Sequence, residues 1–226
     1  MKAGPIFSTD TLDFFTELEK NNRKPWMDEN RDRYKSSVVV PFRELLDRLS
    51  PIALKLNPRF HISGRTGENF SRINRDIRFA ADKSPYRTQM YLFFSEGGGE
   101  RGQLYVGLSP EALTAGFRIY SDGKDSPLLQ FGRGRGAENP AWLGQQKKRL
   151  GRKCESYWYS TEKGGWTKHS GWPLKAEDWK KLQGWVVRKK LKASLATKPG
   201  LEREIEKIFG EVYPLLPFAG QPNWKP

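Results

Sequence analysis

The stretch from Gln89 to Tyr120 decides the fold. It holds Gln89-Met90-Tyr91-Leu92-Phe93-Phe94-Ser95, Gln103-Leu104-Tyr105-Val106-Gly107-Leu108 and Ala115-Gly116-Phe117-Arg118-Ile119-Tyr120. In the first run Met90, Leu92 and Phe94 alternate with Gln89, Tyr91 and Phe93. In the second, Leu104, Val106 and Leu108 share a face. In the third, Phe117 and Ile119 face a core while Arg118 and Tyr120 are presented on the other side. A period of two is that of a strand whose successive side chains point to opposite faces. The link Glu96-Gly97-Gly98-Gly99-Glu100-Arg101 predicts an antiparallel hairpin. It lacks a Gly-Lys-Ser/Thr ending and leads into a strand rather than a helix, which argues against a phosphate loop. Strands in succession with no helix between them predict an antiparallel sheet and an α+β class.

Upstream, the period changes to that of helices. Thr9 or Asp10 is placed to cap a first helix with Leu12, Phe15 and Leu18 on one face, closed by Asn21-Asn22. Pro25 suits the first turn of a second helix. Pro41 kinks that helix or starts a third, in which Phe42, Leu45, Leu46 and Leu49 form the buried stripe before Asn57-Pro58.

Between helices and sheet lies a cation-rich run, Phe70-Ser71-Arg72-Ile73-Asn74-Arg75-Asp76-Ile77-Arg78-Phe79-Ala80-Ala81-Asp82-Lys83-Ser84-Pro85-Tyr86-Arg87. Phe70–Asn74 reads as a strand, Asp76 as the cap of one helical turn ending near Asp82, and Ser84-Pro85 as a turn. Ile73, Ile77 and Phe79 are expected to be buried and to fix the cations. Guanidinium groups on a short rigid unit suit bidentate capture of phosphate or carboxylate. The candidate anion-binding residues are Arg72, Arg75, Arg78, Lys83, Tyr86 and Arg87. Arg75, Arg78 and Lys83 are expected to converge beside Asp76, which orients one arginine, with Tyr86 lending a hydroxyl.

This run resembles the signature R-x-x-R-D-x-R-F-x-x-x-K-x-x-Y-K of a widespread, mainly bacterial family of domains of unknown function. Arg87 stands where the pattern has Lys. The resemblance continues in Phe14-Phe15, Leu18, Asn21-Asn22, Trp26, Arg31 and Tyr34, and again in Tyr105-Val106, Leu108, Pro110 and Gly116. Residues 122–184 match less well. The family implies no activity.

Beyond the first three strands, Gly132-Arg133-Gly134-Arg135-Gly136 reads as a flexible basic loop. Asn139-Pro140 opens a helix carrying Trp142, Leu143 and Leu150. The basic run 147–153 at its end complements the helix dipole, or alternatively faces phosphate. Tyr157-Trp158-Tyr159, Gly164-Gly165-Trp166 and Trp172-Pro173 predict an aromatic hairpin, a small subdomain at about 154–174 within a single domain spanning 1–226. Lys163, Lys168 and His169 among these rings fit a single-stranded nucleic-acid platform; the structural reading, rings that hold a small subdomain together, is preferred. A short helix begins at Ala176 and ends at Gly184. Trp185–Leu195 reads as a strand with Arg188, Lys190 and Lys192 on one face. Leu201, Ile205, Ile208, Phe209 and Val212 form the stripe of a C-terminal helix, and Pro214–Pro226 is expected to be extended.

The 226 residues carry a formal charge of +14, which favours polyanionic partners. Only 36% are hydrophobic, yet 8 Trp, 8 Tyr and 13 Phe supply core volume. A lone cysteine, Cys154, excludes an internal disulfide and a cysteine zinc site and fits a reducing cytoplasm. The start, Met1-Lys2-Ala3-Gly4-Pro5, lacks an apolar signal core, and no run approaches a membrane span. The expected location is therefore cytoplasmic, with no membrane association.

His61 and His169 stand in no nucleophile setting, so no catalytic triad is predicted. Asp76 and Asp82-Lys83 evoke metal-dependent nucleases, but the residue that separates the second acid from the lysine is missing, so no metal or cofactor is assigned. Three function classes follow. One is a module that binds a phosphate-bearing ligand or nucleic acid. Another is an enzyme acting on a phosphorylated or carboxylated small molecule, with Asp76 as acid or base. In the third, the signature is a buried salt-bridge lattice.

Overall fold

The computed structural model describes residues 4–97, 102–121, 126–162 and 165–225. Its N-terminal part is helical: α1 (Thr9–Lys20), α2 (Lys24–Glu29), α3 (Arg31–Tyr34), one wide π-turn over Lys35–Val39, and α4 (Val40–Leu56). Pro25 lies in the first turn of α2, where its missing N–H costs no helical bond. Pro41 follows the π-turn directly, and the Ser37 carbonyl four residues before it accepts from the Thr11 hydroxyl instead (2.6 Å). The expected side-chain cap on α1 is absent. Ser8 takes the cap position, and Asp10 instead accepts from Arg33 and Ser37. Arg33 spans Asp10 (2.7 Å) and Glu17 (2.7 Å), tying α1 to α3.

The sheet follows with β1 (Met90–Phe94), β2 (Gln103–Leu108) and β3 (Ala112–Tyr120). After β3 come a π-turn over Leu128–Gly132, then α5 (Arg133–Glu138), α6 (Pro140–Leu150), β4 (Glu155–Glu162), β5 (Gly165–Ser170), α7 (Ala176–Lys180) and β6 (Leu182–Lys192). A 3-10 turn at Ala193–Thr197, α8 (Leu201–Val212) and α9 (Leu215–Gly220) complete the described chain. The six strands form one sheet in the order β1-β2-β3-β6-β4-β5, every pair antiparallel. The fold is α+β, with helices before the sheet and after it. The aromatic hairpin β4–β5 is joined to this sheet through the β4–β6 pairing. The expected hairpin tip at 98–101 and Lys163 lie outside the described residues.

The period of two sorts the sheet into two faces. Leu92, Phe94, Leu104, Val106, Phe117, Ile119, Trp185 and Val187 join the stripes of α1, α4, α8 and α9 in one core. Tyr91, Phe93, Tyr105, Tyr120, Tyr157 and Val186 form a separate cluster on the opposite face.

Three further expectations fail. Residues 133–138, read from their glycines and arginines as a flexible loop, are helix α5. Gly136 lies against the fully buried Trp179 ring so closely that a methyl group would overlap it. Arg135 donates to the carbonyls of Pro217 (3.0 Å) and Phe218 (2.6 Å), and Arg133 to that of Leu182 (2.9 Å). Gly136 serves close packing, Arg135 satisfies carbonyls of α9, and Arg133 satisfies the carbonyl at the start of β6. The tail after Pro214 is not fully extended, because Leu215, Leu216, Phe218 and Ala219 bury one side of α9. The short helix stops at Lys180, since β6 already begins at Leu182.

Two glycines in neighbouring helices should respond oppositely to alanine. Gly136→Ala should lower stability by about 1–3 kcal/mol through overpacking against Trp179. Gly144→Ala, in open space on α6, should raise it by up to about 1 kcal/mol through helix propensity. Denaturant midpoints of the two variants check this pair.

Candidate anion-binding site

The cation-rich run is neither a strand nor a helix. Phe70 makes isolated bridges to Thr66 and Leu92, and Asn74 makes one to Tyr86. Arg75 N–H donates to Pro85 O (2.8 Å) and Arg87 N–H to Ile73 O (2.8 Å), so residues 73–87 close into a loop whose tip is 76–83. Two asparagine side chains anchor it. Asn22 donates to Tyr86 O (2.9 Å) and accepts from Tyr86 N–H (3.0 Å), taking up both backbone groups of one residue. Buried Asn69 donates to His61 O (2.7 Å) and Phe93 O (2.9 Å) and accepts from Gly64 N–H (2.9 Å), holding the loop's start against β1. Asp76 caps no helix; it accepts from Arg78 N–H two residues on, closing a local turn (3.2 Å). Phe79, expected in the core, is 96% exposed at the tip.

The six candidate residues fall into three places. Arg72 lines a cleft of about 400 Å³ between α4 and the loop. Arg75, Tyr86 and Arg87 line a second cleft, of about 370 Å³, together with Glu19, Asp82 and Gln89. Arg78 and Lys83 lie on the tip and line neither cleft. Arg75 is ion-paired with Asp82 and donates to Ser84 O (3.1 Å). Arg78, its side chain 76% exposed, clamps Asp76 through Nε (3.0 Å) and Nη2 (2.7 Å). Lys83 donates to Ile77 O (3.1 Å). The expected convergence of Arg75, Arg78 and Lys83 is therefore not formed; each is held by its own partner. These pairs are also largely solvated, unlike a buried lattice. Arg78 holds the Asp76 carboxyl below its usual range, first through its guanidinium and then through its backbone N–H. Asp76 is thus an ionised, clamped carboxylate outside both clefts, a poor starting point for acid or base work.

The first cleft differs in its electrostatics. It is lined by Arg43 and Arg72, by the polar neutral groups of Tyr34, Thr66, Ser71 and Asn74, and by apolar Val39, Phe70, Ile73 and Met90. No carboxylate lines it, and neither arginine belongs to an ion pair among the described residues. Arg43 rests over the Phe70 ring at 5.9 Å. Sequence reasoning missed Arg43, because it sits at the border of the α4 stripe and its spacing does not set it apart from Arg48.

Two further groups come together in space. Ser160 Oγ lies 2.7 Å from His169 Nε2, but Ser160 is fully buried and cannot present its oxygen to a substrate. Within the basic run at 147–153, Lys153 pairs with Glu211 (3.2 Å) and Arg149 donates to Glu211 O (2.7 Å), while Lys147, Lys148 and Arg152 line an open depression.

The chain belongs to the conserved hypothetical protein family DUF2461, whose model matches residues 10–218. That span includes both clefts, the loop and all six strands. No curated protein matches the sequence.

Asp82 offers a direct check of the loop. The Ser84 backbone N–H, then the Ser84 hydroxyl, then Arg75 lower its carboxyl from the ordinary 3.8 to about 2. A carboxylate depressed in this way stabilises the fold above its unfolded value, and the contribution is lost as the pH falls toward about 2. In Arg75→Ala the Asp82 value should rise yet stay below 3.8, because the Ser84 bonds remain. Carboxyl-carbon NMR titration of both proteins measures the difference.

Proposed function

We propose that this protein binds a small phosphate- or carboxylate-bearing ligand in the cleft between α4 and the cation-rich loop. One observation carries the reading: Arg43 and Arg72 share a cleft of about 400 Å³ with no lining carboxylate. Elsewhere Arg33, Arg75, Arg78 and Arg188 are each neutralised by an acid. Two unneutralised guanidinium groups bring forked donors to an anion. Thr66, Ser71 and Asn74 line the same cleft with hydroxyl and amide groups that suit the remaining hydrogen bonds of such a ligand. The apolar residues Val39, Ile73 and Met90 suit a ligand with a non-polar body beside its anionic group. The cytoplasm is the proposed place of action, on the strength of the single cysteine. Among the described residues no helix is long and apolar enough to cross a membrane.

Inorganic phosphate should raise the melting temperature of the parent protein by mass action, beyond chloride at matched ionic strength. Arg43→Ala and Arg72→Ala should melt like the parent without phosphate, because neither cation leaves an internal partner stranded. With phosphate they should lose the shift. A parent that phosphate does not stabilise, or variants that keep the full shift, would remove the cleft from consideration.

A further inference from the structure

We infer that the helix-free face of the sheet is a binding surface for single-stranded nucleic acid, separate from the cleft. At its β5 end, Trp166 is 48% exposed and lies among Tyr120 (6.1 Å, near-parallel) and Tyr159 (5.7 Å). Next to them, the half-buried Tyr157 ring carries Lys168 Nζ at 4.1 Å and the Arg188 guanidinium at 5.3 Å. Rings and cations thus alternate across β3, β6, β4 and β5. Every base has a π-face to lay on an aromatic ring, and cations between the rings follow the phosphates.

Charge selects the occupant. Among the described residues, the strand positions that share this face supply Arg118, Lys168, Arg188, Lys190 and Lys192 against Glu155 as the one acid, and Glu155 is already ion-paired to Arg188. Arg118 has no carboxylate partner among the described residues; it donates to Gln103 (2.9 Å) and rests on Phe93 at 4.1 Å. A second copy of the chain would bring an identical cationic face against this one and be repelled. A duplex hides its bases in the stack, where rings on a sheet cannot reach them, so unpaired strands fit and duplexes do not.

The test measures anisotropy of a labelled oligothymidylate and oligouridylate of about 12 nucleotides and of the matching duplex, at low and high salt. The parent should bind the single strands more tightly than the duplex, with affinity falling steeply as salt rises. Trp166→Ala should weaken single-strand binding by about five-fold or more. Lys168→Glu combined with Lys190→Glu should weaken it further and flatten the salt dependence. Both lysines are exposed on strands, so the double variant keeps the test valid if Trp166→Ala folds poorly. Arg72→Ala, in the cleft, should bind oligonucleotide like the parent, so failure of the cleft reading and failure of this one can be told apart. Equal affinity for duplex and single strand would overturn the proposal. So would unchanged binding by both face variants, or binding to anionic vesicles with none to oligonucleotide.

Discussion

A sheet covered by helices on one face only must dry its second face with its own side chains, and that constraint shapes much of this molecule. On the covered face the answer is ordinary: leucine, phenylalanine and tryptophan from the strands meet the stripes of α1, α4, α8 and α9. On the other face tyrosines lie down on the sheet. Tyr91 lies across Gly107 and Tyr120 across Gly184, where any β-carbon would collide with the ring. Glycine in a strand interior weakens it, but a ring laid over it restores buried area. The rings then surround Arg118, whose guanidinium lies 4.1–5.8 Å from the centroids of Phe93, Tyr105, Tyr91 and Tyr120. Cation–π attraction of this kind holds a cation without neutralising it. The second face is thereby dry beneath and still positively charged above.

The strands and main helices were legible because burial on one side writes a period into the chain. Met90, Leu92 and Phe94 could be assigned to the core from alternation alone, and Leu201 to Val212 from helical spacing. The loop over 70–87 carries no such period, and its shape is set from far away. Asn22, 64 positions upstream of Tyr86, occupies both backbone groups of that residue, and no local reading shows this. Phe79 misled because hydrophobic residues are inside only as a one-way rule. The Gly-Arg run of α5 misled for a related reason. Its composition is that of a loop, but Gly136 is small because Trp179 needs the room, a fact that belongs to the tertiary structure.

The candidate site was half legible. Cation density pointed to this loop, and Asp76, expected to orient one arginine, is ion-paired with Arg78. The expected convergence depended on a strand-turn-strand geometry that the loop does not have. Its residues instead turn to different sides, and Asp82 and Asp76 each occupy one guanidinium. What remains unneutralised in the first cleft is Arg72 joined by Arg43, and that pairing needs the packing of α4 against the loop. Neither residue's neighbours in sequence announce it.

The cleft and the open face meet at β1, and the same period of two keeps them apart. Met90 lines the cleft, and Tyr91, the next residue, lies on the open face. Ser71, which also lines the cleft, donates its N–H to Tyr91 O (3.0 Å) and accepts from Tyr91 N–H at its hydroxyl (3.0 Å). One backbone segment therefore serves as the wall of a small concavity and as the margin of a broad aromatic surface. Side chains on either side of it differ in charge environment: two arginines with no carboxylate partner among the described residues on one, and rings interleaved with cations on the other. Because alternation along β1 sends neighbouring residues to opposite sides, a substitution at Met90 alters the cleft and one at Tyr91 the open face. That independence follows from strand geometry, and it lets each surface be altered while the other is left intact.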